Sequence, residues 1–133
     1  MNHGAEALIH ELGEKIGIPL SVKQGATVLT DNSGREFWLE APENSQLIMM
    51  HTSLEQYSVS RAGELDKLRW LALNARPDLM CGAWIGVHVP TDSVRLFVSA
   101  PIEFINVSTL EIILSNLFEL SRKIPDYLTL VEY

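Results

Sequence analysis

The sequence has a single cysteine, no long apolar run, no phosphate-cradling glycine loop and few basic side chains. Cys81 alone cannot form an intrachain disulfide, which fits a reducing compartment. No segment approaches the ~18–20 consecutive apolar residues that a membrane helix needs. The N-terminus does not read as a signal peptide, because it lacks a basic stretch and Glu6, Glu11 and Glu14 interrupt its apolar residues. Neither common type of nucleotide-binding glycine loop is present, nor a Gly-x-Ser-x-Gly elbow, nor His-Glu-x-x-His. Basic residues number 10 against 17 acidic, a net charge of −7, so nucleic acid is repelled and no basic stripe offsets this. The imbalance is concentrated early, with 3 basic and 8 acidic side chains in residues 1–60. A basic partner, or solubility alone, accounts for such a surface.

What remains is an ordinary globular composition, 47% apolar and 20% charged. At 133 residues it is expected to form one domain spanning 1–133. Ala5, Leu8, Ile9, Leu12 and Ile16 form one stripe at helical spacing, and Gly17 and Pro19 stop that helix. Strands are expected at Ala26–Asp31, Arg35–Ala41 and Gln46–Leu54, joined by turns at Asn32-Ser33-Gly34 and Pro42–Ser45. A second helix spans about Ser60 to Arg76, with Leu65, Leu68, Leu71, Ala72 and Ala75 as its main stripe. Trp70 and Leu73 project from another side, so this helix is deeply buried or shared with a partner. Strands Leu79–Val89 and Val94–Phe104 follow, and Ser108-Thr109-Leu110-Glu111 reads as a capping box for a last helix to Ile124. The order α-β-β-β-α-β-β-α predicts an α+β fold with a mostly antiparallel twisted sheet.

Side chains able to do chemistry are scattered. His3 and His10 lie two turns apart on the polar side of the first helix, where a metal pair is conceivable, but ligation usually needs i, i+4 spacing and further ligands, so surface histidines are expected. His51 and His88 sit on separate strands without a carboxylate nearby in sequence. Cys81, placed on a strand beside Met80, Gly82 and Ala83, reads as a buried, inert thiol. Acidic pairs such as Glu11 with Glu14, or Glu64 with Asp66, are solvated faces. No enzyme, metal or cofactor is suggested.

The element order, the run Lys15-Ile16-Gly17-Ile18-Pro19-Leu20 and the stretch from Pro90 to Ser121 resemble the class I type III secretion chaperones of the Tir-chaperone family. Two details depart from the relatives: Gly13 replaces a common alanine, and the Pro90–Ser93 turn lacks their glycine. The resemblance implies a cytoplasmic bacterial homodimer that uses no nucleotide. It would hold the N-terminal segment of a secreted effector in extended form, with the secretion-apparatus ATPase as a further partner. A regulatory module of similar fold, which sequesters a regulator of the secretion system, is the alternative.

On that basis a dimer interface is expected at Trp70, Leu73, Gly82, Trp84 and Gly86. The small–large–small pattern around Trp84 either admits a second backbone or packs a helix of the same chain. The effector-binding surface is expected at Ile18, Leu20, Trp38, Ile48 and Met50, with Glu36 and Glu40 as an acidic rim. Trp38 is a docking point or a lone exposed aromatic. The third strand is apolar on both faces, so one face meets the core and the other can meet a client.

Overall fold

The computed structural model describes residues 3–131, apart from the side chains of His3 and Gln56. Helix α1 (His3–Ile16) ends where Gly17 turns to a positive φ of 76°. There the Ile18 N–H reaches the Gly13 carbonyl at 3.0 Å and the Gly17 N–H that of Glu14 at 3.4 Å. This paired closure satisfies the last carbonyls of the helix and throws the chain back along it. Gly13 makes the return possible: a Cβ there would stand 2.7 Å from the Ile18 carbonyl oxygen and 2.9 Å from the Leu20 nitrogen.

Five strands follow: β1 (Ala26–Thr30), β2 (Glu36–Glu40), β3 (Leu47–Ser58), β4 (Trp84–His88) and β5 (Ser93–Pro101). They form one antiparallel sheet in the order β1-β2-β3-β5-β4. The predicted turn before β2 is present, with Asp31 Oδ1 accepting from the backbone N–H groups of Ser33 and Arg35, both at 2.9 Å. β3 runs four residues beyond its expected end at Leu54, because Tyr57 packs edge-on against Trp70 at 5.8 Å between ring centres.

Helix α2 (Glu64–Asn74) is shorter than expected, and a one-turn helix α3 (Pro77–Met80) replaces the start of the expected strand. Proline at the first position of α3 favours helix there, and Cys81 then adopts a left-handed φ of 50°. Cys81 is therefore exposed on a turn, not buried on a strand. Between β4 and β5 the left-handed position is taken by Asp92, a residue type that tolerates it.

Helix α4 (Val107–Leu130) differs from expectation at both ends. Its cap is Asn106, whose Oδ1 accepts from the Thr109 N–H at 2.9 Å. Ser108 and Glu111, the expected capping pair, instead bind Lys15 Nζ at 3.0 and 3.2 Å and fasten the end of α1 to the start of α4. The helix continues through Pro125 although an interior proline costs about 3 kcal/mol. Tyr127 and Leu128 pack against the core beyond it and Val131 is buried, which offsets that cost.

One face of the sheet carries Phe37, Leu39, Ile48, Met50, Leu54, Ile85, Val94 and Leu96, packed with Ile9 and Leu12 of α1, Trp70 and Leu73 of α2, and Leu110, Leu117 and Ile124 of α4. Phe37 meets Phe118 at 5.4 Å between rings. Replacing Gly13 by alanine is expected to lower stability by about 1–3 kcal/mol, the usual range for overpacking against atoms that cannot retreat. Urea unfolding checks this, and an unchanged midpoint would mean that the Ile18–Leu20 segment shifts freely.

Candidate protein-binding surface

The sheet register places a second apolar row on the face away from the core. Val28 pairs with Trp38, Trp38 with His51, His51 with Phe97 and Phe97 with Trp84, so one residue from every strand lines up across the sheet. Val28, Trp38, Phe97 and Trp84 all stand outside the core cluster. Trp84 stacks on Phe97 with centres 5.7 Å apart and planes 10° from parallel. Gly86 opposes Arg95, and a Cβ on it would meet the Phe97 ring at 3.0 Å. The small residue beside Trp84 thus makes room for an aromatic ring of its own chain. Trp38, expected at a client site, and Trp84, expected at a dimer interface, share one continuous face.

At the centre of the row His51 is buried with both ring nitrogens engaged. Arg95 Nη1 lies 2.9 Å from Nδ1 and Glu40 Oε1 lies 2.9 Å from Nε2. A guanidinium only donates, so Nδ1 is the acceptor and the ring proton sits on Nε2, donating to Glu40. Burial holds the His51 pKa below its ordinary 6.5, with Glu40 opposing that shift. Burial likewise lowers the Arg95 value, against the pull of Glu40 and Glu36. Glu40 is therefore engaged with His51, its side chain still 36% exposed, and is not the free rim carboxylate expected of it.

Of the five residues expected to bind a client, Ile18 is exposed and Trp38 half-buried. Leu20, Ile48 and Met50 are core residues, the last two fully enclosed. The reason is register. Met50 opposes Leu39 and Val98, and Ile48 opposes Ala100, which sends both to the helix-covered face. Their alternates Leu47 and Met49 take the other face, exposed and half-buried respectively.

The expected dimer residues divide in the same way. Trp84 is 36% exposed, Gly86 is half-buried, and Gly82 is exposed in the connection leading to β4. Trp70 and Leu73 face the core, which corrects the assignment of the two sides of α2. Of the main stripe, Leu65, Leu68 and Leu71 point to solvent, with Leu71 65% exposed. Val87 and Val89, 50% and 79% exposed, extend this apolar surface from α2 across the end of β4. Sequence reading recognised that α2 has two apolar sides but could not tell which faced inward.

The two sheet edges differ. On β4 the Ile85 N–H donates to Asn74 Oδ1 at 2.7 Å and its carbonyl accepts from Asn74 Nδ2 at 3.0 Å, so a side-chain amide occupies the place of a neighbouring strand. On β1 only Ala26 is so engaged, through paired hydrogen bonds with Lys23 across a turn in which Gln24 and Gly25 both have positive φ. Alternate residues point the same way, so the backbone groups of Val28 and Thr30 turn outward from the sheet. A groove of about 630 Å³ lies between α1 and the Pro19–Val22 segment, and it shares Glu6 and Val22 with a second hollow that reaches Ala26 at the start of β1. Among the described residues no group of three or more His, Cys, Asp or Glu side chains gathers to hold a metal, and no helix is long and apolar enough to cross a membrane. His3, the proposed mate of His10, has its side chain outside the described residues, and His10 pairs with Glu14 at 3.1 Å.

A folded His51 pKa below 6.5 means that the unfolded chain binds more protons as pH falls through that value. The His51 contribution to stability is present above 6.5 and is lost toward the lower folded pKa. Thermal melting from about pH 7 to about pH 5 should show a smaller drop in midpoint for His51→Gln than for the parent chain. Equal slopes would remove His51 as a source of acid sensitivity.

A family model for the Tir chaperone protein (CesT) family matches residues 7–124. Among curated protein sequences nothing matches. Among solved structures, a chain of the HopA1–SchA chaperone–effector complex superposes with TM-score 0.74 at 17% identity, covering 91% of this chain and 92% of that one. A chain of the ExsC–ExsE complex gives 0.75 at 16%, covering 91% and 90%. A chain from the Yersinia pestis type III secretion chaperone SycH bound to a fragment of YscM2 gives 0.67 at 15%, covering 90% and 98%. At these identities the superpositions speak for a shared α+β fold, and the family model speaks for kinship over most of the sequence. The chain belongs to the Tir chaperone protein (CesT) family.

Proposed function

We propose that this protein is a cytoplasmic, homodimeric chaperone that holds the N-terminal segment of a type III secreted effector in extended, export-competent form. The observation that carries this reading is the open edge of β1 beside an apolar groove. Val28 and Thr30 offer backbone donors and acceptors, while Leu20 and Val22 border a groove along α1 that continues to Gly25 and Ala26 at the start of β1. An extended segment satisfies its own backbone by joining such an edge, and its alternate side chains reach pockets on either side. Family membership, and neighbours that include a chaperone–effector complex, support an effector as the occupant. Binding on this scheme uses backbone pairing and apolar burial and needs neither nucleotide nor metal. An effector N-terminal fragment should therefore co-purify with the protein in EDTA without nucleotide, and the reading fails if binding requires either.

Dimerisation is assigned to the apolar surface formed by Leu65, Leu68 and Leu71 of α2 with Val87 and Val89 and the flank of Trp84. Contiguous exposed apolar side chains of this kind are unusual on a monomer and ordinary in an obligate interface. Sedimentation should give a mass near 30 kDa, twice the 14.9 kDa chain. Leu71→Glu, altering an exposed position, should shift it to monomer with little change in melting temperature, whereas Leu73→Glu should unfold the chain. A dimer that survives Leu71→Glu would place the interface elsewhere.

A further inference from the structure

The reading of β1 as the client edge leaves open what kind of segment it accepts, and the neighbouring surface bears on that. The groove along α1 is bordered by Glu6, His10, Gly13 and Glu14, which follow one another along one stripe of the helix, with Pro19 to Val22 opposite. It continues past Val22 into a second hollow beside Gly25 and Ala26, where Glu6 recurs and Glu40 and Glu43 border the far side. Among the described residues no lysine or arginine borders either hollow. Glu40 is already held by His51, so the carboxylates facing the groove from α1 set its charge: Glu6, and Glu14, whose Oε1 lies 3.1 Å from His10 Nε2 with both side chains largely exposed. Lys15, the cation next to Glu14 in sequence, is drawn away to Ser108 and Glu111. The floor is apolar, from Leu20, Val22 and Pro19, and the second hollow reaches β1 at Ala26, two residues before Val28.

Resting on the chaperone reading above, we propose that this combined edge and groove selects a cationic amphipathic strand. The bound segment pairs with Val28 and Thr30, places apolar side chains on Leu20 and Val22, and directs lysine or arginine side chains to Glu6 and Glu14. Charge complementarity at an exposed rim acts on partner choice and encounter rate more than on total affinity, so its signature is discrimination that salt weakens.

The test uses two fluorescein-labelled probe peptides of equal length with Val, Leu and Thr alternating with polar positions, occupied by Lys in one and Glu in the other. Fluorescence anisotropy at low salt should find the Lys probe binding about tenfold tighter, the scale of a few exposed ion pairs gained in one peptide and like charges opposed in the other. High salt should shrink that ratio, and Glu6→Lys with Glu14→Lys should abolish or invert it. Glu119→Lys, an exposed charge reversal on α4, should leave it intact. Equal affinities for the two probes, or a preference that survives the double reversal, overturns the charge selection while the β1 edge reading stands. A Lys probe N-methylated at alternate backbone nitrogens separates the two claims. Unimpaired binding of that probe means no strand is added at the edge, and both readings fail.

Discussion

Both faces of the five-stranded sheet are apolar, and the helices whose residues enter the core cluster cover one of them. That constraint governs the rest of the structure. Once the turn between β2 and β3 sets Leu39 opposite Met50, every even-numbered side chain of β3 from Ile48 to Leu54 is committed to the face under α1 and α4. The alternate set, with Trp38, Phe97 and Trp84, is left on the other face. A single-residue slip would exchange the two sets and bury the His51 position under the helices without its Glu40 and Arg95 partners. The register is thus held from both sides, by core packing on one and by a hydrogen-bonded polar centre on the other.

The surviving apolar row has a cost and a use. His51 sits amid aromatic rings, 5.2 Å from Phe97, and without bonds to both nitrogens its burial would be unfavourable. Arg95 and Glu40 supply them from β5 and β2, the strands on either side of β3, and so tie three strands together through one imidazole. The side of the sheet nearest Trp38 and the side nearest Trp84 are joined by this bridge, although sequence reading treated them as separate places.

Much of the fold was legible in the sequence because it rests on local signals. Gly17 and Pro19 marked the end of α1, and Asn32 to Gly34 marked the β1–β2 turn. The errors arose where one local pattern has two solutions and tertiary packing chooses. β3 and α2 are apolar on two sides, and periodicity reports two stripes without saying which is inside. In β3 the answer lay in pairing register, and in α2 in the partner that Tyr57 offers Trp70. Asn106, Ser108 and Glu111 show the same limit for caps. The family-like Ser-x-x-Glu spacing is present, yet Lys15, distant in sequence, draws its side chains away. Asn74 left no signal at all, since a lone asparagine near a helix end has many uses.

The contrast between the sheet edges gives the molecule a direction. A strand edge is an invitation to any extended chain, including another copy, and soluble proteins usually blunt it. Asn74 does so on β4 by presenting the donor and acceptor of an amide to Ile85, and the exposed apolar side chains of α2 and β4 gather on that side. Side-chain packing, not strand addition, is the kind of association this end can support. On β1 the Lys23–Gly25 turn covers only Ala26, and the backbone beyond it stays available beside a groove whose rim is acidic. Because that rim and the first 60 residues carry most of the excess negative charge, the open edge is also the end most repulsive to a second copy of itself. An edge that must stay free for an extended partner is in this way kept from pairing with its own kind by charge, without being closed by a side chain.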